Sequence, residues 1–186
     1  MTSLLRPKGD GLGSVSSREQ KGDPTGKEID PPCRRAPGPI FWGLFLGLFL
    51  LDQGTKASIL RFGDHLTISV IPGLLNLVSV RNTGIVFGLF SGENWLWIGV
   101  GAAFLLVGFW IGRRLDWRRR EINGIAALLA AGAAGNLSDR ILHGFVVDFI
   151  DLYVGPWHWP SFNVADSCLC LASLWILFRF GLAPGR

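Results

Sequence analysis

Five aspartates stand inside or beside apolar stretches of this chain: Asp52, Asp139, Asp148, Asp151 and Asp166. An ionised side chain near hydrocarbon costs about 2.5 to 3.5 kcal/mol at the middle of a membrane helix unless it is paired or neutralised. Two readings are open for each, a helix cap or ion-pair partner at the water boundary, or a group kept for chemistry. Asn136 precedes Asp139 by three residues and Asn163 precedes Asp166 by three, so each amide shares a helix face with its carboxylate. Asp148 lies between these units within Phe145-Val146-Val147-Asp148-Phe149-Ile150, an apolar surround that raises a carboxyl pKa by desolvation. Two carboxyls brought together in such a place share one proton. The ionised member can take a proton from water while the protonated member polarises a carbonyl, so hydrolysis would need no metal, cofactor, serine or histidine. His65, His143 and His158 are far apart and lack metal-ligand spacing, so no metal site is expected.

The elements that must hold these groups are membrane helices. The 186 residues are 49% hydrophobic and 17% charged, with eight Trp, thirteen Phe and 25 Gly, and the mean hydropathy is +0.36. That is too apolar for an ordinary soluble domain. Cys33, Cys168 and Cys170 are too few for a disulfide framework. A net charge of +4 would suit nucleic acid only on a folded basic face, and no nucleic acid partner is expected. Apolar runs predict four spans, at about 40–60, 95–112, 122–141 and 163–182, each near the ~20 residues that cross a bilayer. Residues 1–38 are rich in Gly, Pro, Ser and charge and read as a disordered tail, leaving 39–186 as the membrane domain. Basic residues concentrate in that tail, in the Arg113–Arg120 loop and at the C-terminal end. The positive-inside rule therefore places both termini in the cytoplasm and the two long loops outside.

In the first outer segment, β-branched alternation over Leu66–Ile71 and Leu77–Val80 around Pro72-Gly73 predicts a hairpin on the membrane surface. The second, Leu142–Phe162, carries Gly144, Gly155, Pro156, Pro160 and Trp157-His158-Trp159 and reads as an interfacial loop that folds over the site. Gly43 and Gly47, in GxxxG spacing, mark a candidate close helix contact. Cys168 and Cys170 are read as packing residues. The expected fold is all-α membrane: four transmembrane helices with a small extracytoplasmic β element and a loop over the active site.

Five motifs in order, Asp52-Gln53-Gly54-Thr55-Lys56, Arg81-Asn82-Thr83-Gly84, Ala133 to Arg140 (AAGNLSDR), Val146-Val147-Asp148-Phe149 and Phe162 to Ser167 (FNVADS), resemble the lipoprotein signal peptidase (signal peptidase II) family over about residues 39–180. The resemblance implies an inner-membrane aspartic endopeptidase of bacteria that cleaves prolipoproteins immediately before a diacylglyceryl-modified cysteine, near the outer face. It makes Asp148 and Asp166 the catalytic pair. Asp139 is a rival for the first role, but Arg140 beside it is the expected partner, and an acid paired to Arg is a poor proton shuttle. Asn82, Gly84, Asn136, Asp139, Arg140 and Asn163 are implied to bind substrate or support the site. Asp52 and Lys56 are implied to be structural, with a snorkelling, interfacial Lys56 as the alternative. The partners implied are diacylglyceryl-modified prolipoproteins and membrane lipids, the cofactor none, the state a monomer. The family's Asn-x-Gly-Ala-Ala-Phe is here Asn82-Thr83-Gly84-Ile85-Val86-Phe87, which would narrow the pocket. A small proton-coupled transporter would also bury aspartates and is the alternative function, although no internal repeat is visible.

Overall fold

The computed structural model describes residues 36–63, 66–84 and 92–181. The tail expectation therefore falls outside the described residues except for 36–38, as do His65 and the Ile85-Val86 substitution. Among the described residues the elements run α1 Pro39–Phe62, β1 Thr67–Ile71, β2 Leu75–Asn82, α2 Asn94–Gly112, α3 Arg120–His143, β3 Val146–Val154, β4 Trp157–His158 and α4 Val164–Ile176, with a π-helical turn Leu177–Gly181 after α4.

Helix α1 begins on Pro39, whose fixed φ and missing N–H suit a first helical position. Its buried residues include Asp52, Lys56 and Ile59, spaced four and three apart, whereas Trp42, Leu46, Leu50 and Leu51 are exposed. A helix with its charges inside and its leucines outside is built for an apolar solvent. The apolar residues of α2 are likewise turned outward, with Phe109 71% exposed. Helices α2 and α3 are long and apolar enough to cross a membrane, with mean hydropathies of 1.9 and 1.2.

Helix α3 is central and packs on α1, α2 and α4. Its Ala and Gly residues permit close approach, as small residues do between membrane helices. A methyl group on Gly132 would stand 2.5 Å from the Ala165 carbonyl oxygen, and one on Gly135 2.5 Å from Asp52 Oδ2. Gly43 and Gly47 have nothing that close, so the expected contact at the GxxxG pair is corrected: the tight glycines are on α3, where two helices meet it.

The sheet is antiparallel in the order β1-β2-β3-β4. The predicted hairpin is β1 and β2, with Thr67 opposite Val78. The expected loop over Leu142–Phe162 is corrected as well, because much of it is β3 paired with β2, Val80 opposite Asp148 and Asn82 opposite Val146. Val147 and Phe149 join Ile59 in a core under the sheet, with Ile150 packed against it as well, and Asp148 opens on the cleft side. The β2–β3 register shifts between Leu77 and Val80, so simple alternation does not run the length of β3, and Asp151 lines the same cleft as Asp148. The chain then returns to β3. Phe162 N–H donates to Ile150 O at 3.1 Å, and Phe162 O accepts from the N–H groups of Phe149 and Ile150. That return sets Asn163, the N-cap of α4, beside Asp148.

Candidate active site

Two polar clusters adjoin where α1, α3, α4 and the sheet converge. The inner cluster is an ion-pair network. Lys56 Nζ lies 2.8 Å from Asp52 Oδ2 and 3.0 Å from Asp139 Oδ2, and all three side chains are at most 2% exposed. Gln53 Nε2 donates to both carboxylates, at 3.1 and 3.2 Å. Backbone donors complete the set: Asp52 Oδ1 accepts from Ala165 N–H in the first turn of α4 at 2.8 Å, and Asp139 Oδ2 from Val147 N–H in β3 at 3.1 Å. A buried charge is tolerated when it is paired and its other lone pairs are satisfied, and here both conditions hold. The network ties α1 to α3, α4 and β3.

Lys56 therefore does not snorkel. Nor does Asp139 pair with Arg140 as expected. Neighbours in a helix point about 100° apart, and Arg140 instead sends Nη2 to the Gly84 carbonyl at 2.7 Å. Gly84 is held again by its N–H, which donates to Asn82 Oδ1 at 3.0 Å.

The second cluster contains Asp148 and Asp166, from β3 and the first turn of α4. Asn163 grips both. Its Nδ2 donates to Asp148 Oδ1 at 2.7 Å, its Oδ1 accepts from Asp166 N–H at 2.9 Å, and its own N–H donates to Asp166 Oδ2 at 3.3 Å. This is a reciprocal capping box, so ordinary helix-start chemistry fixes one carboxylate while the same amide reaches the other. Asn82 Nδ2 donates to Asp148 Oδ2 at 2.8 Å, and Asn136 Nδ2 to Asp166 Oδ1 at 2.7 Å. Asn136 also joins the clusters, since its Oδ1 accepts from Lys56 Nζ at 3.1 Å.

Asp148, Asp166, Asn82, Asn136, Gly84 and Arg140 line a cleft of about 1600 Å³. Asp52, Lys56, Asp139 and Asn163 stand behind it. The apolar wall between helices includes Val100, Phe104, Leu169 and Leu171, and the cleft runs on to Asp151 and His158 at the sheet. Burial, then the neighbouring Asp166 charge, pushes the Asp148 carboxyl up to about 7, against the lowering effect of the Asn82 and Asn163 hydrogen bonds and of Lys56. Asp148 thus keeps a proton at a pH where an ordinary carboxyl has lost it.

The role of Gln53 and the pairing of Asp151 with His158 escape sequence reasoning. Gln53 carries no charge, and its one signal is its place beside Asp52 on α1. Asp151 and His158 meet because the chain reverses between β3 and β4; a loop over the same residues leaves them as an acid beside an apolar run and an interfacial ring. Among the described residues no group of three or more His, Cys, Asp or Glu could hold a metal ion.

Two carboxyls held by one asparagine on the wall of an apolar cleft, among helices whose leucines face outward, are the groups that acid–base chemistry at an apolar boundary would need. Similarity to known proteins makes this specific. Residues 44–181 match the family model described as Signal peptidase (SPase) II, and the chain belongs to that family of peptidases. A lipoprotein signal peptidase of Vibrio cholerae is 44% identical over 142 residues, 72% of this chain and 82% of that protein. One from Desulforapulum autotrophicum is 37% identical over 138 residues, 71% of this chain and 85% of that protein. Two solved structures described as bacterial membrane enzymes share the fold. One has a TM-score of 0.69 at 31% identity, covering 74% of this chain and 85% of the other. The second has 0.70 at 30% identity, covering 77% and 94%.

Proposed function

We propose that this protein is a membrane aspartic endopeptidase that removes the signal peptide from prolipoproteins by cutting immediately before the diacylglyceryl-modified cysteine. The observation that carries the reading is the attachment of Asp148 and Asp166 to one residue, Asn163, with both carboxyls on the cleft. Membership of a peptidase family sets the transporter alternative aside.

In the mechanism, a water molecule sits between the carboxyls. Asp166 takes its proton, the oxygen attacks the carbonyl carbon before the cysteine, and Asp148 gives its proton to the carbonyl oxygen. Asp166 then gives the proton it took to the amine nitrogen as the C–N bond breaks, and Asp148 takes one back from a hydroxyl of the collapsing tetrahedral intermediate. This leaves a carboxyl on the signal peptide, a free amine on the lipidated cysteine and both aspartates in their starting states. Asn82, Asn136 and Asn163 orient the carboxyls. Arg140 holds the Gly84 carbonyl, and with it the backbone at the cleft wall, while Asp52, Lys56 and Asp139 lock the helices behind the site.

Helices α1 to α4 span the inner membrane of a bacterium, with both termini cytoplasmic and the sheet outside, and the protein acts as a monomer without cofactor or metal. Residues 39–186 form the peptidase domain. Acyl chains enter the cleft sideways between helices past Phe104 and Leu171, and this confines cleavage to precursors held in the bilayer. The test is mass spectrometry of a precursor incubated with the purified protein in lipid, with and without prior diacylglyceryl transfer to its cysteine. Cleavage before the modified cysteine, and none without modification, is expected. Equal cleavage of both forms contradicts the proposal.

A further inference from the structure

The cleft does not end at the carboxyl pair. Asp151, three residues beyond Asp148 on β3 and about 10 Å along the strand, lines it together with His158. His158 Nδ1 lies 2.8 Å from Asp151 Oδ1, and Asn76 Nδ2 donates to Asp151 Oδ2 at 3.0 Å. Ser69 stands opposite Asn76 in the register of β1 and β2, so a polar row crosses all four strands. The imidazole is also fixed through its face. Tyr153 stacks on it with centroids 5.1 Å apart and planes 10° apart, and the Tyr153 hydroxyl is anchored by Gly73 N–H at 2.8 Å. Asp151 is 9% exposed and His158 53%. Such fixation is costly in side-chain entropy for a residue that merely faces water. It is what a recognition group requires, since an oriented donor or acceptor loses little freedom on binding.

The carboxylate selects the tautomer. With the Nδ1 proton directed at Asp151, a neutral ring presents Nε2 as a lone-pair acceptor, and the carboxylate behind it favours a donor in front. We propose that His158, oriented by Asp151, Asn76 and Tyr153, is a substrate-binding residue whose Nε2 accepts a main-chain N–H from the segment that follows the modified cysteine. The inference rests on the peptidase reading and deepens it: one end of the cleft takes acyl chains, the middle the scissile bond, and the sheet end the peptide that remains attached to lipid after cleavage. An extended peptide covers the ~10 Å from Asp148 to Asp151 in about three residues, so the N–H recognised lies near the third residue past the cut.

Two substitutions separate recognition from a purely structural role. The Asn amide overlays Nδ1, so His158→Asn keeps the bond to Asp151 and loses the Nε2 position. The longer Gln amide overlays Nε2, so His158→Gln does the reverse. Kinetics are read in lipid on a diacylglyceryl-modified precursor and on synthetic versions N-methylated at one amide at a time over the first five residues past the cysteine. One hydrogen bond corresponds to about 3- to 10-fold. H158N raises KM by that factor with little change in kcat, H158Q stays within about 2-fold of wild type, and one N-methylated precursor loses its discrimination between H158N and wild type. The opposite order, with H158Q impaired and H158N normal, assigns His158 to holding β4 and overturns the proposal. So does an H158N effect that is the same for every precursor. Absence of cleavage by the wild-type chain defeats the peptidase reading itself and the subsite with it, whereas wild-type cleavage with either contrary pattern defeats the subsite alone.

Discussion

Replacing Lys56 by Met is expected to unfold the helix junction before it touches the chemistry. Lys56 Nζ has three partners within 3.1 Å, Asp52, Asp139 and Asn136, and its side chain is 2% exposed. Met fills nearly the same volume, so the loss is electrostatic. Two carboxylates would remain buried with only the Gln53 amide and backbone N–H groups to answer them, and breaking a buried pair by removing one partner costs about 3 to 5 kcal/mol. Where the counter-charges are neutralised as well, most of that penalty disappears, because the isolated charge and not the missing bond is the costly part. Lys56→Met alone should therefore lose about 3 kcal/mol or more, and K56M combined with D52N and D139N should recover at least half of it. Equilibrium unfolding of the purified protein in mixed micelles, followed by tryptophan fluorescence, measures both. A K56M variant within about 1 kcal/mol of wild type, well short of the cost of a stranded buried charge, defeats this expectation, as does a triple variant less stable than K56M.

Cleavage should also respond to pH with a definite sign. The Asp148 carboxyl titrates at about 7, and the pair needs its one proton, so the rate falls as pH rises through that value; a rate that stays constant from about pH 6 to 9 contradicts the assignment. Folding has its own dependence, because the native chain holds a proton at Asp148 that the unfolded chain releases near pH 4. That carboxyl therefore makes stability decline between about pH 4 and 7 and become level above, which unfolding midpoints across that range read directly. Gly132→Ala drives a methyl toward the Ala165 carbonyl and should cost about 1 to 3 kcal/mol, whereas Gly43→Ala meets nothing and should be neutral or gain up to about 1 kcal/mol; unfolding midpoints of the two variants rank them.

The helices are legible in the sequence because a long apolar run is costly to leave in water and satisfies its own backbone in lipid as a helix, even where, as in α1, Asp52 and Lys56 interrupt it. Helices α1 to α3 lie within a few residues of the expected bounds. The fourth is a 13-residue α-helix extended by a π-helical turn, a change of hydrogen-bond pattern that no apolar run announces. Strand β3 is obscured by the polar groups it carries. Asp148 and Asp151, followed by Gly155-Pro156, look like loop chemistry until Val147 and Phe149 are seen to share a buried face. Asn136 and Asp139 do lie on one helix, and yet they serve different clusters, one holding Asp166 and the other Lys56. Asn163 and Asp166 meet instead as a reciprocal cap, because Asn163 is the extended residue before α4. Sequence adjacency points to Arg140 as the partner of Asp139, whereas tertiary packing brings Lys56 from α1. Glycine spacing misleads for a similar reason, since a GxxxG pair acquires meaning only from the helix that arrives against it, and α3, not α1, is the helix so surrounded.

Whether Asp148 and Asp166 together carry the hydrolysis is decided by the single-turnover rate of a diacylglyceryl-modified precursor in lipid nanodiscs, measured for wild type, D148N and D166N, each first shown to unfold close to the wild-type midpoint. Loss of a positioned acid or base removes about 10² to 10⁴ of rate, so each variant should cleave at least about a hundredfold more slowly. A rate within a factor of a few of wild type in either one removes that carboxyl from the reaction, and the shared-proton mechanism with it.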